Sequence, residues 1–154
     1  MLYNKYTKMS ENKPIQLGLC CLNTILRAQK FPVFASRTMI IRTVKEKGIG
    51  QLKAKITQNL KDILTMMDWN EENGIKLFRL SSGLFPHKSN PKVEDYTFDF
   101  AIDLLKQIGE KSKLYNQRLT FHPGQYNVVG TPNKKAFEQT CADLKYHADV
   151  LDLM

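Results

Sequence analysis

The pattern of hydrophobic and polar positions along this chain predicts the order strand, loop, helix three times in succession. Short apolar runs bounded by polar residues predict buried strands at 15–21, 76–80 and 118–122. Apolar residues spaced three or four positions apart predict helices over about 51–73, over about 94–113 and from about 134 onward. Strands separated by helices call for a parallel sheet with right-handed crossovers, so the predicted fold class is α/β.

The same pattern predicts which segments lie outside the strands and helices and which face of the last helix is buried. Residues 1–14 are polar and are predicted to be a disordered tail. Residues 25–48 are basic and contain Pro32, and we predict an irregular connection there, of a length that is usually functional or disordered. In the last helix, one apolar stripe is expected to face the core, namely Phe137, Cys141, Leu144, Ala148 and Leu151.

Charge is distributed unevenly along the chain. The 154 residues include 23 Lys and Arg against 15 Asp and Glu, and the first 60 residues hold 11 of the basic side chains and 2 of the acidic ones. With 42% hydrophobic residues, the composition is that of a globular protein rather than a disordered or collagen-like chain. A basic segment on a nearly neutral body indicates a polyanionic partner such as nucleic acid, although surplus lysine also serves solubility.

Cysteine content bears on the compartment. Cys20, Cys21 and Cys141 cannot all pair within one chain, and none has a partner at zinc-ligand spacing. We therefore expect reduced thiols in an intracellular protein. The first residues lack the apolar stretch of a signal peptide, and no apolar run approaches about 18 residues, so we expect a soluble protein.

Polar side chains follow each predicted strand, at the sheet edge where α/β proteins place their sites. His122 ends the third strand, and Gln125 and Tyr126 lie at the tip of the next turn. The histidine can bind a metal or transfer a proton, or it can simply hydrogen-bond a neighbouring loop. The tyrosine can stack on an unpaired base, or it can pack flat over the end of the sheet.

The other candidate positions give weaker signals. The loop after the second strand holds His87 and Asn90 near three serines, which suits phosphate or metal binding but is also ordinary turn chemistry. After the first strand, Asn23 is the strong polar candidate, and an Asx-turn is its alternative role. His147 lies beside Leu144 on the last helix and is predicted to be a helix-flank residue rather than a ligand.

Several stretches together resemble the N-terminal part of the UV damage endonuclease family. They are LGLCCLN at 17–23, SRT at 36–38, NLKDILTMMDWNEENGIKLFRLSSGLFP at 59–86, RLTFHPGQY at 118–126 and DLKYHADVLDLM at 143–154. FHPGQY combined with NEENGIKLFRLSS is specific. The resemblance implies a TIM-type barrel that nicks double-stranded DNA 5′ to ultraviolet lesions with divalent metals, and manganese is the expected ion.

Site roles follow from the same resemblance. His122 matches a metal ligand. Gln125 and Tyr126 match the pair that probes the duplex and fills the gap left by flipped-out bases. Asn23 matches a polar residue near the DNA, and Arg37, in the matching SRT stretch, is also predicted to bind DNA. No residue of this chain is assigned a catalytic role.

The chain departs from the family pattern at two points. The family has a histidine ligand four residues after the proline of the second loop, whereas this chain has Asn90 there and His87 three residues earlier, so both are candidate ligands. A complete TIM barrel needs about 250 residues in eight βα units, and about three are predicted here. We therefore expect a partial barrel with an incomplete metal site, for which a second chain is one source of the missing half. The alternatives are a non-catalytic DNA-binding remnant of the family and a fragment of a sugar-isomerase-like metal barrel.

Overall fold

A computed structural model describes residues 15–154, so the tail predicted at 1–14 lies outside the described residues. The centre is a sheet of three parallel strands in sequence order: β1 (Gly18–Cys20), β2 (Leu77–Ser81) and β3 (Arg118–His122). In the register, Leu77 lies between Gly18 and Arg118, and Ser81 lies beside His122. The carboxyl ends of the three strands therefore meet at one edge of the sheet.

Helices cover one face of this sheet. They are α1 (Thr24–Arg27), α2 (Ile41–Lys47), α3 (Ile49–Glu72), α4 (Ile102–Leu114) and α5 (Lys134–Asp152), and a short 3-10 helix at Asp99–Ala101 precedes α4. Parallel strands with helices between them confirm the predicted α/β class. Within residues 15–154, no helix combines the length and the apolar character that a membrane crossing requires.

The core lies between the sheet and the helices. Phe78 and Leu80 of β2 point into it and are almost fully buried. The apolar stripe of α3 is also fully buried, and it consists of Leu52, Ile56, Leu60, Ile63, Met66 and Met67. Burying one such side chain is worth about 1.5–3 kcal/mol, so the stripe holds α3 on the sheet. At Gly109 of α4 a side chain would not fit, because the backbone of Met154 occupies the space that a Cβ would need.

The other face of the sheet is mostly polar and, within residues 15–154, carries no helix. Alternation along each strand places there the residues that do not join the core. They are Gly18, Cys20, Leu77, Arg79, Ser81, Arg118, Thr120 and His122. Arg79 donates from Nη2 to Cys20 Sγ (2.7 Å), while its buried Nε has no hydrogen-bond partner among the described residues. In a TIM barrel, the corresponding face lines the interior.

The connection 25–48 and the second long helix differ from their predictions. The connection contains α2 and most of α1, which are short and bury only Val44 and Leu26, so neither produces a recognisable apolar stripe. The helix predicted from residue 94 begins at Ile102. Lys88 binds the carboxylate of Asp95 and the carbonyl of Tyr96, and these contacts keep residues 94–98 outside the helix.

The predicted inward stripe of α5 is wrong. Phe137, Cys141 and Ala148 are exposed, and Leu144 and Leu151 are half-buried. The buried residues of this helix are Thr140, Tyr146, His147 and Val150. Apolar spacing shows that a helix has an apolar face, but it does not show which neighbouring element covers that face.

Candidate nucleic-acid interface

The loops after the three strands lie at the carboxyl edge of the sheet. Asn23 follows β1, the loop 82–98 follows β2, and the loop 123–133 follows β3. His122, the last residue of β3, is exposed and makes no hydrogen bond through its ring to any described residue. Its neighbour in the register is Ser81, the last residue of β2. The predicted candidates after the three strands therefore gather at one edge.

A tight turn presents Gln125 and Tyr126. The amide of Asn127 donates to the carbonyl of Gly124 (3.0 Å), which closes a β-turn with Gln125 and Tyr126 at its central positions. Both residues are exposed, and Tyr126 retains 86% of its accessible surface. Tyr126 therefore does not pack flat over the end of the sheet, and its ring is available to a partner.

Asp143 of α5 links this turn to the loop after β2. Its Oδ1 accepts a hydrogen bond from Ser89 Oγ (2.8 Å), and its Oδ2 accepts one from Asn127 Nδ2. Gln139, one helical turn earlier, donates from Nε2 to the carbonyl of Ser89 (2.6 Å). The loops after β2 and β3 are thus joined through a single helix.

The two candidate ligands in the loop after β2 are engaged in local contacts. His87 adopts a φ of +64°, which is uncommon for a residue other than glycine, and its Nε2 lies 2.6 Å from the carbonyl oxygen of Met39. Asn90 Oδ1 accepts a hydrogen bond from the amide of Lys92 (3.0 Å). Both side chains shape the loop, so ordinary turn chemistry is present at both positions.

The basic connection is held against α3. The buried side-chain amide of Asn59 bonds both the N–H (2.9 Å) and the carbonyl (3.0 Å) of Arg37. The guanidinium of Arg37 pairs with Asp62 (2.6 Å) and lies 3.9 Å from the centre of the Phe34 ring. Arg37 thus uses its charge within the protein. Other basic side chains of the connection are exposed, namely Arg27, Lys30, Arg42, Lys45 and Lys47.

Asn23 occupies the N-terminal end of α1. Its Oδ1 accepts a hydrogen bond from the amide of Leu26 (3.0 Å), which caps the helix, so the local role given as its alternative is present. The residue is buried, and its Nδ2 has no hydrogen-bond partner within residues 15–154. A buried donor without a hydrogen-bond partner is unfavourable.

The candidate ligands do not form a metal centre by themselves. Among residues 15–154, no group of three or more His, Cys, Asp or Glu side chains is placed to hold a metal ion. Because His87 and Asn90 already bond backbone groups, His122 is the candidate whose ring remains available. A multi-metal site needs several ligands around each ion, and the described residues supply too few.

Two buried tyrosines hold the loop after β2 through hydrogen bonds to its backbone. Tyr146 of α5 donates to the carbonyl of Ser82 (2.6 Å), and Tyr96 donates to the carbonyl of Pro86 (2.9 Å). Burial raises the pKa of both phenols well above the usual tyrosine range. Both hydroxyls therefore remain protonated, and able to donate, at neutral pH.

His147 is a core residue and not the helix-flank residue that we predicted. It is buried, its ring packs edge-on against Phe121 with centroids 4.7 Å apart, and its Nδ1 lies 2.6 Å from the carbonyl oxygen of Asp143. The prediction failed because it considered only neighbours on the same helix, whereas the contact with Phe121 depends on how α5 packs against β3.

Sequence reasoning missed the residues that fix the loops in place. Asp143 and Tyr146 lie on a helix for which the wrong face was assigned to the core. Asn59 and Asp62 belong to the buried side of α3, where they interrupt its apolar stripe. A polar residue within a buried helical stripe must have a hydrogen-bond partner, and that was the signal available in the sequence.

Comparisons with known proteins find similar sequences and a similar structure. The family model described as UV-endonuclease UvdE matches residues 15–154. A protein of Acanthamoeba polyphaga mimivirus is 40% identical over 142 residues, which are 91% of this chain and 42% of the relative. A UV-damage endonuclease of Schizosaccharomyces pombe is 42% identical over 147 residues, which are 93% of this chain and 24% of the relative.

A solved structure shows the same similarity in three dimensions. The crystal structure of SacUVDE matches with a TM-score of 0.79 and 28% sequence identity, over 92% of this chain and 46% of that chain. SacUVDE has a TIM-barrel-like fold, so the prediction of a partial TIM-type barrel is confirmed. The chain spans less than half the length of each of these three relatives.

Proposed function

The chain belongs to the UV-endonuclease UvdE family, and on that basis we propose that it is the damage-probing portion of a DNA repair endonuclease. The turn of Gln125 and Tyr126 carries this proposal, because an aromatic ring that is 86% exposed at the tip of a hydrogen-bonded turn can stack on a base. Where a damaged dinucleotide has flipped out of a duplex, the tyrosine would fill the gap. The glutamine amide would bond the orphaned bases.

The basic connection is the proposed contact with the DNA backbone. His87 holds Met39 of this connection beside the loop after β2, and we propose that the exposed basic side chains of the connection approach the DNA from there. Phosphate contacts position a protein on a duplex and do not depend on sequence. We assign Arg37 to this proposed DNA-binding surface because it orders the connection, and Asn23 because it caps α1, where the connection begins.

The proposed reaction is a nick 5′ to the ultraviolet lesion with a divalent metal, for which manganese is the expected ion. His122 is the ligand that this chain would supply, while Asn90 or His87 could join only by releasing its backbone partner. The other ligands would come from polypeptide outside residues 15–154, in the same chain or in a second chain that completes the barrel. The metal would neutralise charge on the phosphodiester and activate water.

A binding and nicking assay tests the proposal. Purified chain is mixed with irradiated or undamaged duplex, with and without manganese. We expect tighter binding to the irradiated duplex and no nicking by the chain as a monomer, since the described residues do not complete a metal site. Tyr126→Ala is expected to reduce the preference for irradiated duplex about tenfold, because base stacking contributes about 1–3 kcal/mol. Gln125→Ala should reduce it in the same direction.

The controls separate the outcomes. Val129→Ala removes another exposed apolar side chain of the same loop and should leave the preference unchanged. Equal binding of the wild-type chain to both duplexes would contradict the damage-probing role, and manganese-dependent nicking by the monomer would contradict the incomplete site. The lack of a metal cluster within residues 15–154 favours one other candidate, a non-catalytic DNA-binding remnant. It predicts no nicking even after the missing half is added.

A further inference from the structure

The loop after β2 and the loop after β3 both contact Asp143, a residue to which the proposed function gives no role. The carboxylate lies on α5 and keeps 19% of its side-chain surface exposed. One of its oxygens bonds Ser89, the residue before Asn90, and the other bonds Asn127, the residue after Tyr126. Each of the two loops therefore has its own oxygen on one carboxylate.

This carboxylate strengthens a turn that has little else to hold it. The backbone bond from Asn127 to Gly124 closes the turn, and the next residues, Val128 and Val129, are exposed. Exposed turns with few buried contacts open more readily than the rest of a fold. Hydrogen bonds to a charged acceptor are stronger than those between neutral groups, so the bond from Asn127 to Asp143 is a major restraint on where the turn points.

We propose that Asp143 is a positioning residue that fixes the turn of Gln125 and Tyr126 relative to the loop after β2. It acts through Asn127 and Ser89 and does not itself touch DNA. The proposal deepens the damage-probing function and rests on it, because the position of the turn sets where the probing pair enters a duplex. Probing a gap requires a side chain that is already held in place, since ordering a mobile turn during binding would reduce affinity.

The donor and acceptor pattern of this contact allows an exchange experiment. In Asp143→Ala, the shared acceptor of both loops is removed and no side-chain group at this position can replace it. In Asn127→Asp, two carboxylates would oppose each other. In the double variant Asp143→Asn with Asn127→Asp, the new amide at position 143 can donate to the new carboxylate at position 127, and its oxygen can still accept from Ser89. The contact is thereby restored with its polarity reversed.

Two measurements are made on the full chain. Hydrogen exchange followed by mass spectrometry reports the protection of the segment 123–130, and fluorescence anisotropy reports the ratio of affinities for irradiated and undamaged duplex. We expect each single variant to speed exchange in the segment and to reduce the affinity ratio, both by about five- to tenfold, as for removal of a charged hydrogen bond. The double variant should return both to within about twofold of the wild type.

A matched control and several distinct outcomes test the proposal. Asp149→Asn removes an equal charge from the same helix, where the carboxylate pairs with Lys145 on the surface, and should change neither measurement. Unchanged exchange in both single variants would overturn the proposal, as would faster exchange with an unaltered affinity ratio, or a double variant as impaired as the singles. A wild-type chain with no preference for irradiated duplex would instead refute the proposed function, while exchange would still decide whether Asp143 holds the turn.

Discussion

Tyr96, within the loop after β2, and Tyr146, on α5, hold that loop by the same chemistry. Each phenol is buried and donates to a backbone carbonyl of the loop after β2. Burial raises the pKa of each phenol, so the folded state disfavours the ionised form. In the unfolded chain a tyrosine ionises near a pH of about 10. The neutral phenols therefore stabilise the fold fully below about pH 10, and that contribution falls as the pH rises further.

Tyr146→Phe tests this pH dependence. At neutral pH the variant should be less stable than the wild type by about 1 kcal/mol, because one hydrogen bond is removed. Above about pH 10 the wild type should lose stability through ionisation of this phenol in the unfolded state, whereas the variant has no phenol there, so the difference should shrink. Urea unfolding at neutral pH and near a pH of about 11 measures both values. A difference that stays constant between the two conditions would refute the argument.

Among the elements, α3 has two roles that belong to different residues. Its apolar stripe packs on the sheet, while Asn59 and Asp62 hold the basic connection. The connection has two short helices of its own, and its middle part follows a path set by hydrogen bonds from α3. A segment that looks irregular in the sequence is thus ordered by a helix that follows it in the chain.

Asp62→Asn should release this connection. The amide of Phe34 and the guanidinium of Arg37 would lose a charged acceptor, so we expect a loss of about 1–3 kcal/mol in the free energy of unfolding and faster tryptic cleavage within residues 25–40. Glu46→Gln is the control, because its pair with Arg42 is exposed and 3.6 Å long and should contribute less than about 0.5 kcal/mol. Cleavage of Asp62→Asn at the wild-type rate would show that the connection is held by other contacts.

The elements also show what could be predicted from the sequence. β3 has the predicted bounds, and the presence and parallel arrangement of all three strands followed from local apolar runs and the rule for crossovers. The candidate residues at the strand ends could be placed at one edge for the same reason. The contact of Ser89 with Asp143 joins residues 54 positions apart, and the choice of the buried face on α5 depends on β3 and on the loop after β2. No local pattern contains such information, so these features required the structure.

In the whole molecule, positive charge is concentrated in the part of the chain that precedes α3. Of the side chains in the basic connection, Arg37 is ion-paired internally, while Lys30 and Arg42 are exposed. An exposed cluster of this sign raises the rate and affinity of DNA association without sequence preference. The damage preference, in contrast, is assigned to the turn with Tyr126, so the two contributions can be separated by mutation.

Lys30→Gln combined with Arg42→Gln should weaken binding to irradiated and undamaged duplex alike. The dependence of log K on log salt should become shallower by about 0.9 for each phosphate that the variant no longer neutralises. Lys106→Gln, at an exposed position on α4, is the control and should leave the slope unchanged. Anisotropy titrations at several salt concentrations give the slopes. A selective loss of affinity for the irradiated duplex would contradict the division of roles.

The polar face of the sheet has a consequence for how such a protein is made. Arg79, Arg118 and Thr120 can be hydrated, so this face offers water little apolar surface to exclude. The opposite face already has its helices and its packed core. A nascent chain that has emerged from the ribosome as far as α5 can therefore fold these units early, without exposing on this face the apolar area that draws unfinished chains into aggregates. Arginines on this face of the sheet thus help the described part of the chain to remain in solution during synthesis.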